Sequence, residues 1–317
     1  MNIKLTRSVI YFILILINSV TNANAQQPST NEPITSHESE LLAKAVNTSI
    51  FVYTPEVDPC APLPPDQTLV PLGSAFVVGI KNNKTSTPEQ WQGYKFLITA
   101  KHVLANHTNI MIRLNLAHEI KFKCQSISLT GSGANPNMFM GGSGVDLAAV
   151  SLPDIPDTDP TVLDADLLLD GNTMKKWNIG VGTQILTVGY IFGYSGQKSN
   201  YPVTKFGNMS VITEEHWYYN AQSKLSEQGY VIQLPNAPGL SGAPVLTHGI
   251  EFDTNPFRFR QLSPYLVGVI KALLLAPANN SWISQDLAVI EPAANLKVLI
   301  SEIASKLKAA GNDVDVK

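Results

Sequence analysis

An all-β fold, two six-stranded antiparallel barrels followed by a C-terminal helix, is what this chain of 317 residues predicts. Three observations lead there. From Leu72 onward, short apolar runs are split by turn clusters: Ala75 to Ile80, Tyr94 to Thr99, Ile110 to Leu114, Ile120 to Ser128 and Leu147 to Leu152. Runs of this length and spacing are the pattern of an all-β barrel or sandwich. Next, a loop rich in Asp and Pro (Asp154, Pro156, Asp157, Asp159, Pro160) separates that series from a second one, Gln184 to Tyr190, Val203 to Thr213, Tyr230 to Leu234, Pro244 to Thr247 and Tyr265 to Ala272, so two barrels fit. Finally, Ala293 to Ala310 repeats apolar residues at Leu296, Val298, Leu299, Ile303 and Leu307 with Lys and Glu between, the period of a helix lying on the second barrel.

The remaining segments follow in order. Lys4 and Arg7, the apolar run Val9 to Ile17 and the small residues Ala23-Asn24-Ala25 make a basic, hydrophobic, small-residue series. That is the form of a secretory signal peptide over residues 1–25, because the apolar run is well short of the roughly 20 residues a spanning helix needs. No later stretch is long and apolar enough to span, so the expectation is a secreted or periplasmic protein with no membrane span once the leader is removed. Residues 26–44 form an N-terminal extension in which Thr35-Ser36-His37-Glu38 reads as a capping box before Leu41, Leu42, Ala45 and Val46. From Phe51 to Pro71 six prolines (Pro55, Pro59, Pro62, Pro64, Pro65, Pro71) argue a rigid, irregular surface segment. The main domain is expected over 45–280, with barrels at about 45–155 and 175–275, and the helix and tail over 281–317.

Composition excludes several classes of function. With 22 basic against 25 acidic residues, a net charge of −3, there is no positive field for nucleic acid, and losing Lys4 and Arg7 with the leader makes the balance more acidic. Hydrophobic residues at 44% and charged residues at 15% allow a sizeable core. No close Cys or His pair has ligand spacing, so neither a metal nor another cofactor is expected. The two cysteines, Cys60 and Cys124, invite a disulfide in an exported chain, which on a chain-entropy argument stabilises by up to roughly 4 kcal/mol. Two separate buried thiols are the alternative.

Three segments carry chemistry. Pro238-Gly239-Leu240-Ser241-Gly242-Ala243-Pro244 holds a serine between glycines and prolines, which forces a tight turn that projects one hydroxyl. Phe96-Leu97-Ile98-Thr99-Ala100-Lys101-His102 places a histidine just after an apolar run, and Gly144-Val145-Asp146-Leu147-Ala148 places an aspartate at the head of another. A hydroxyl nucleophile at neutral pH needs a base, and the base needs a carboxylate to hold its tautomer and steady its charge. His102, Asp146 and Ser241 supply all three, 44 and 95 residues apart. Ser143, between Gly142 and Gly144, is the other serine in a comparable setting, and it reads as part of a glycine-rich loop from Met138 to Gly144 that lies near the cleft.

In order and spacing, the Thr-Ala-x-His, Asp-Leu-Ala and Pro-Gly-x-Ser-Gly-x-Pro runs resemble the signatures of trypsin-like (chymotrypsin-fold) serine peptidases. They are nearest to the bacterial, cysteine-poor branch with the HtrA catalytic domain. Gly73-Ser74-Ala75-Phe76-Val77-Val78 and Leu266-Val267-Gly268-Val269-Ile270 resemble that family's first barrel strand and groove strand. The resemblance covers about residues 45 to 275, and too few residues follow for a PDZ domain. It implies a secreted endopeptidase acting on polypeptides, with an oxyanion hole from the backbone N–H groups of Gly239 and Ser241. It further implies a groove wall including Pro235, Asn236, Lys271, Ala272 and Leu273. No acid in that wall would pair with a basic side chain, so cleavage after small or medium apolar residues is expected. Leu240 replaces the acid that digestive relatives carry before the serine, so activation by a new N-terminus is not implied, and Lys271 stands where the family usually has a small polar residue.

Two rivals remain. An esterase of the α/β type runs serine, acid, histidine along the chain, whereas here the serine comes last and only His248 follows it closely. A secreted binding protein that kept the barrels and lost turnover is the other.

Overall fold

Strand pairing sorts the described residues into an eight-stranded sheet and a closed barrel that share a core, with two short hairpins besides. The computed structural model describes residues 47–314 apart from 63–68, 84–91, 118, 132–136, 159, 193–195, 221–224, 236, 249, 253–258, 262–263 and 279–280. The leader and the capping-box segment therefore lie outside the described residues. So does the compact unit Met1–Ser39; everything below belongs to the unit Glu40–Lys317.

The first sheet contains β1 (Ile50–Tyr53), β2 (Gly73–Lys81), β3 (Gly93–Thr99), β4 (Asn109–Asn115), β5 (Phe122–Ser128), β6 (Met138–Met140) and β7 (Ala148–Leu152), ordered β5-β4-β1-β2-β3-β7-β6. Strand β8 (Val162–Asp164) pairs in parallel with β2. After a short helix α1 (Gly171–Lys176) come β9 (Gln184–Gly189), β10 (Val203–Val211), the hairpin β11 (Tyr218–Asn220) and β12 (Leu225–Glu227), β13 (Tyr230–Gln233), β14 (Pro244–Thr247), the hairpin β15 (Ile250–Phe252) and β16 (Phe259–Gln261), β17 (Leu266–Ala278) and β18 (Ser281–Pro292). Six of these close into a barrel, β10-β13-β18-β17-β14-β9, and helix α2 (Ala293–Ala309) follows.

Three expectations are met only in part. Two closed barrels are predicted; the second closes, and among the described residues the first half is an eight-stranded sheet in which β5 and β6 are not paired. Its edge strand β6 has three residues, all committed to β7. Asn137, at its head, instead reaches the carbonyls of Ser128 and Thr130 through Nδ2, each at 3.4 Å. Second, the Pro-rich segment is not irregular throughout: Ile50-Phe51-Val52-Tyr53, all β-formers ahead of the first proline, make a fully buried strand between β2 and β4. Third, the barrel runs on to Pro292, because residues 281–292 pair along β17 instead of beginning the tail. Asp286, at φ 52°, and a register shift opposite it at Leu274/Leu275 interrupt the alternation that would have revealed the strand.

The near-continuous apolar runs have a reason. Strand β2 is buried on both faces: Phe76, Val78 and Ile80 enter a core shared with Leu186, Val188, Ile232, Val245, Val269 and Ile290 of the barrel. Ala75 and Val77 enter a second cluster with Val52, Leu97, Ile110, Ile112 and Val150 inside the first sheet. Helix α2 closes the shared core with Leu296, Leu299, Ile300 and Ile303, spaced three to four apart. Val298, expected on that face, points outward and is 59% exposed. The disulfide between Cys60 and Cys124 forms, with Cα atoms 6.0 Å apart, tying the Pro-rich segment to β5. Among the described residues no helix is long and apolar enough to cross a membrane.

Candidate active site

Strand register brings the histidine and the aspartate to the same end of one strand pair. Thr99, the last residue of β3, is paired with Ala148, the first of β7. His102 follows Thr99 by one turn, in the 3-10 segment Lys101–Leu104, and Asp146 precedes Ala148 by two residues. The His102 Nδ1–H donates to Asp146 Oδ2 at 2.7 Å, and the His102 backbone N–H donates to Oδ1 at 3.0 Å. Both carboxylate oxygens are therefore held by one residue, which fixes the imidazole tautomer and leaves Nε2 directed elsewhere. Asp146 is buried, and burial alone would push its carboxyl up. The hydrogen bond and charge of the His102 ring, the His102 N–H and the nearby Lys271 cation outweigh burial and hold it below the ordinary value.

The serine turn is fastened to the first sheet by Ser74. Ser74 N–H donates to Ser241 O at 2.8 Å, Ser74 Oγ donates to Gly239 O at 3.0 Å, and Tyr190 N–H donates to Ser74 Oγ at 2.8 Å. The glycines are steric requirements. A Cβ on Gly242, whose φ is +85°, would fall 2.0 Å from Ser74 O, and one on Gly239, at φ +104°, would fall 2.5 Å from the Tyr190 ring. A methyl added at Gly73 would touch both Ser241 O, at 2.8 Å, and the Val103 side chain, at 3.0 Å, so the serine turn and the residue next to His102 border the same small space. Among the described residues, neither the N–H of Gly239 nor that of Ser241 has a hydrogen-bond partner, and Ser241 Oγ and His102 Nε2 are not bonded to each other. Donors left open beside a projecting hydroxyl suit a developing oxyanion.

A cleft of about 440 Å³ opens beside His102, with the apolar side chains of Leu104, Ala105, Met138, Met140 and Val145 and the polar groups of Ser143, Asp146 and Glu227 on its walls. Met138 to Met140, expected as loop, is strand β6. The groove-wall residues fare unevenly. Pro235 is exposed, with its carbonyl accepting from Lys205 Nζ at 2.7 Å; Ala272 and Leu273 are half-buried on β17; Asn236 lies outside the described residues.

Lys271 is not in the wall. It is the unmatched residue of a β-bulge between Ile270 and Ala272, and the bulge turns its side chain inward, where it is 1% exposed. There its Nζ donates to Glu291 Oε2 at 3.0 Å, Glu227 Oε2 at 3.2 Å and Gln228 O at 2.6 Å. Ser74, Glu227 and Glu291 were not singled out from sequence; an acid ending the apolar run Leu287 to Ile290 is the signal that marks Glu291. A cluster of ligand-type residues, Asp58 with Cys60 and Cys124, has both sulfurs taken by the disulfide.

No family model matches the sequence, and no curated protein is similar to it. Among solved structures, the chain is similar to the MamO protease domain of Magnetospirillum magneticum, at 11% identity and a TM-score of 0.44, over 82% of this chain and 98% of that one. It is similar to the active form of the Rv3671c protease of M. tuberculosis, at 14% identity and a TM-score of 0.43 over 83% of each. It is also similar to human heparin binding protein, at 10% identity and a TM-score of 0.46, over 82% of this chain and 92% of that one. These neighbours have the trypsin-like serine-protease fold.

Proposed function

We propose that this chain is a serine endopeptidase that acts outside the cytoplasm, hydrolysing peptide bonds through Ser241, His102 and Asp146. The observation that carries the reading is the 2.7 Å bond from His102 Nδ1 to a buried Asp146 carboxylate beside the fastened turn of Ser241. In this mechanism His102 Nε2 takes the Ser241 proton as Oγ attacks the scissile carbonyl. The N–H groups of Gly239 and Ser241 receive the oxyanion, and His102 then protonates the departing amine. Water, deprotonated in turn by His102, attacks the acyl-serine ester and releases the second product. Asp146 stays ionised throughout and steadies the imidazolium. The disulfide supports an oxidising compartment, reached after loss of residues 1–25, with the catalytic domain beginning near residue 45. By the resemblance, Pro235, Asn236, Ala272 and Leu273 would flank Ser241, and none of them is acidic, which favours cleavage after small or medium apolar residues.

The test is to incubate the leaderless protein with a peptide library and locate the cleaved bonds. Cleavage after small or medium apolar residues, lost in Ser241→Ala, is the expected result; a folded protein that cuts nothing refutes it. A second reading, a secreted binding protein without turnover, is favoured by one observation: Ser241 Oγ and His102 Nε2 are not hydrogen-bonded. Such bonds commonly lengthen without substrate, so this does not displace the first reading.

A further inference from the structure

Behind Asp146 lies a charge cluster that the proposed chemistry does not use. Glu291 is wholly buried near the end of β18, and its Oε2 accepts two hydrogen bonds: from the Asp146 backbone N–H at 3.1 Å and from Lys271 Nζ at 3.0 Å. Its other oxygen accepts from Asn295 Nδ2 at 2.6 Å, at the start of α2. Lys271 is anchored from the far side by Glu227 Oε2 and by the Gln228 carbonyl. One buried ammonium thus spans β17, β18 and the hairpin strand β12, and the carboxylate that it aims grips the peptide of Asp146. Burying one cation with two carboxylates is costly unless each is fully hydrogen-bonded, and such a cluster adds little stability over a well-packed apolar one. What it supplies instead is position. The Asp146 N–H sits at the base of the side chain whose oxygens hold His102, so a shift there moves the imidazole directly.

We infer that Lys271 and Glu291 are positioning residues, which lock the backbone of Asp146 from behind so that its carboxylate stays aimed at His102 Nδ1. Lys271 orients the Glu291 carboxylate, Glu291 holds the Asp146 peptide, and neither touches substrate. The rate consequence rests on the peptidase reading above; the geometric consequence does not.

The experiment compares Lys271→Met, Glu291→Gln and the double variant Lys271→Met/Glu291→Gln in the leaderless protein. The double removes one positive and one negative charge together, so it leaves the buried balance unchanged where a single variant fails to fold. Two signals are read: steady-state peptide hydrolysis, and the far-downfield proton resonance of the His102 Nδ1–H hydrogen bond, recorded also in Ser241→Ala, which keeps that bond. The expected result is a fall in kcat of about 10- to 100-fold with KM changed less than about twofold, as for a small misplacement of a reacting group. The resonance is lost or displaced in every folded variant and retained in Ser241→Ala. A folded variant with unchanged kcat and unchanged resonance overturns the inference. If the wild-type protein cleaves nothing yet shows the resonance, the peptidase reading fails, and the inference stands or falls on whether the variants shift that resonance.

Discussion

In the proposed mechanism His102, Asp146 and Ser241 do different work, and substitutions at each separate the parts. Replacing Asp146 with Asn keeps the shape but removes the acceptor that sets the His102 tautomer, so kcat should fall on the order of 10⁴-fold, measured on a peptide substrate. Gly239→Ala tests the oxyanion donors: at φ +104° a Cβ would strike the Tyr190 ring at 2.5 Å, so the turn must twist. The expected loss is about 10²- to 10³-fold in kcat, with folding checked by circular dichroism; an unchanged rate would remove Gly239 N–H from the mechanism. The pairing of His102 with Asp146 and the tight turn at Ser241 were legible in the sequence because each residue sits where a strand must begin or end, and turn chemistry there leaves few choices. The sequence places Lys271 in the groove wall for a physical reason: only the bulge at Ile270/Ala272 sends it inward, and the partners that hold it, Glu227 and Glu291, lie 44 and 20 residues away.

Connections among strands and helices set how the frame responds to acid and to reduction. Asp170 caps the N-terminus of α1, accepting from Thr173 N–H at 2.8 Å, and pairs with Lys297 of α2 at 2.8 Å. The Lys297 bond first and the Thr173 N–H next hold its carboxyl at about 2, below the ordinary 3.8. A depressed folded value means that this contribution is complete above pH 3.8 and is lost as the pH falls toward 2. The melting temperature of Asp170→Asn should therefore fall less steeply over that window than the wild type's; parallel curves would contradict the pairing. Paired replacement of Cys60 and Cys124 by Ser should cost about 2–4 kcal/mol in urea unfolding, chiefly through the freed chain. Helix α2 was legible from its period, although Val298, two positions from Leu296, had to face outward. Strand β18 was hidden because Ser284, Gln285, Asp286 and Glu291 interrupt its apolar residues, and it is recognised only by its long pairing with β17.

The molecule holds its candidate site where the eight-stranded sheet meets the closed barrel, with a shared apolar core running through both. Phe76, Ile98 and Leu147 from the sheet share that core with Leu240, Val245 and Val269 from the barrel, so separating the halves would expose it, although the sheet keeps a second cluster of its own. Thermal unfolding should accordingly show one calorimetric transition with matching calorimetric and van't Hoff enthalpies, and two resolved transitions would contradict the shared core. The alternation of apolar runs announced two β-halves, but the three-residue β6 at the edge of the first carries no such announcement in its letters. Everything proposed for function depends on Ser241 being made nucleophilic by its surroundings. The most direct measurement is to treat the leaderless protein with a fluorophosphonate probe and map the modified peptide. The account predicts labelling at Ser241 alone, abolished by Ser241→Ala and by His102→Ala; folded protein that remains unlabelled, or labelling at Ser143, would contradict it.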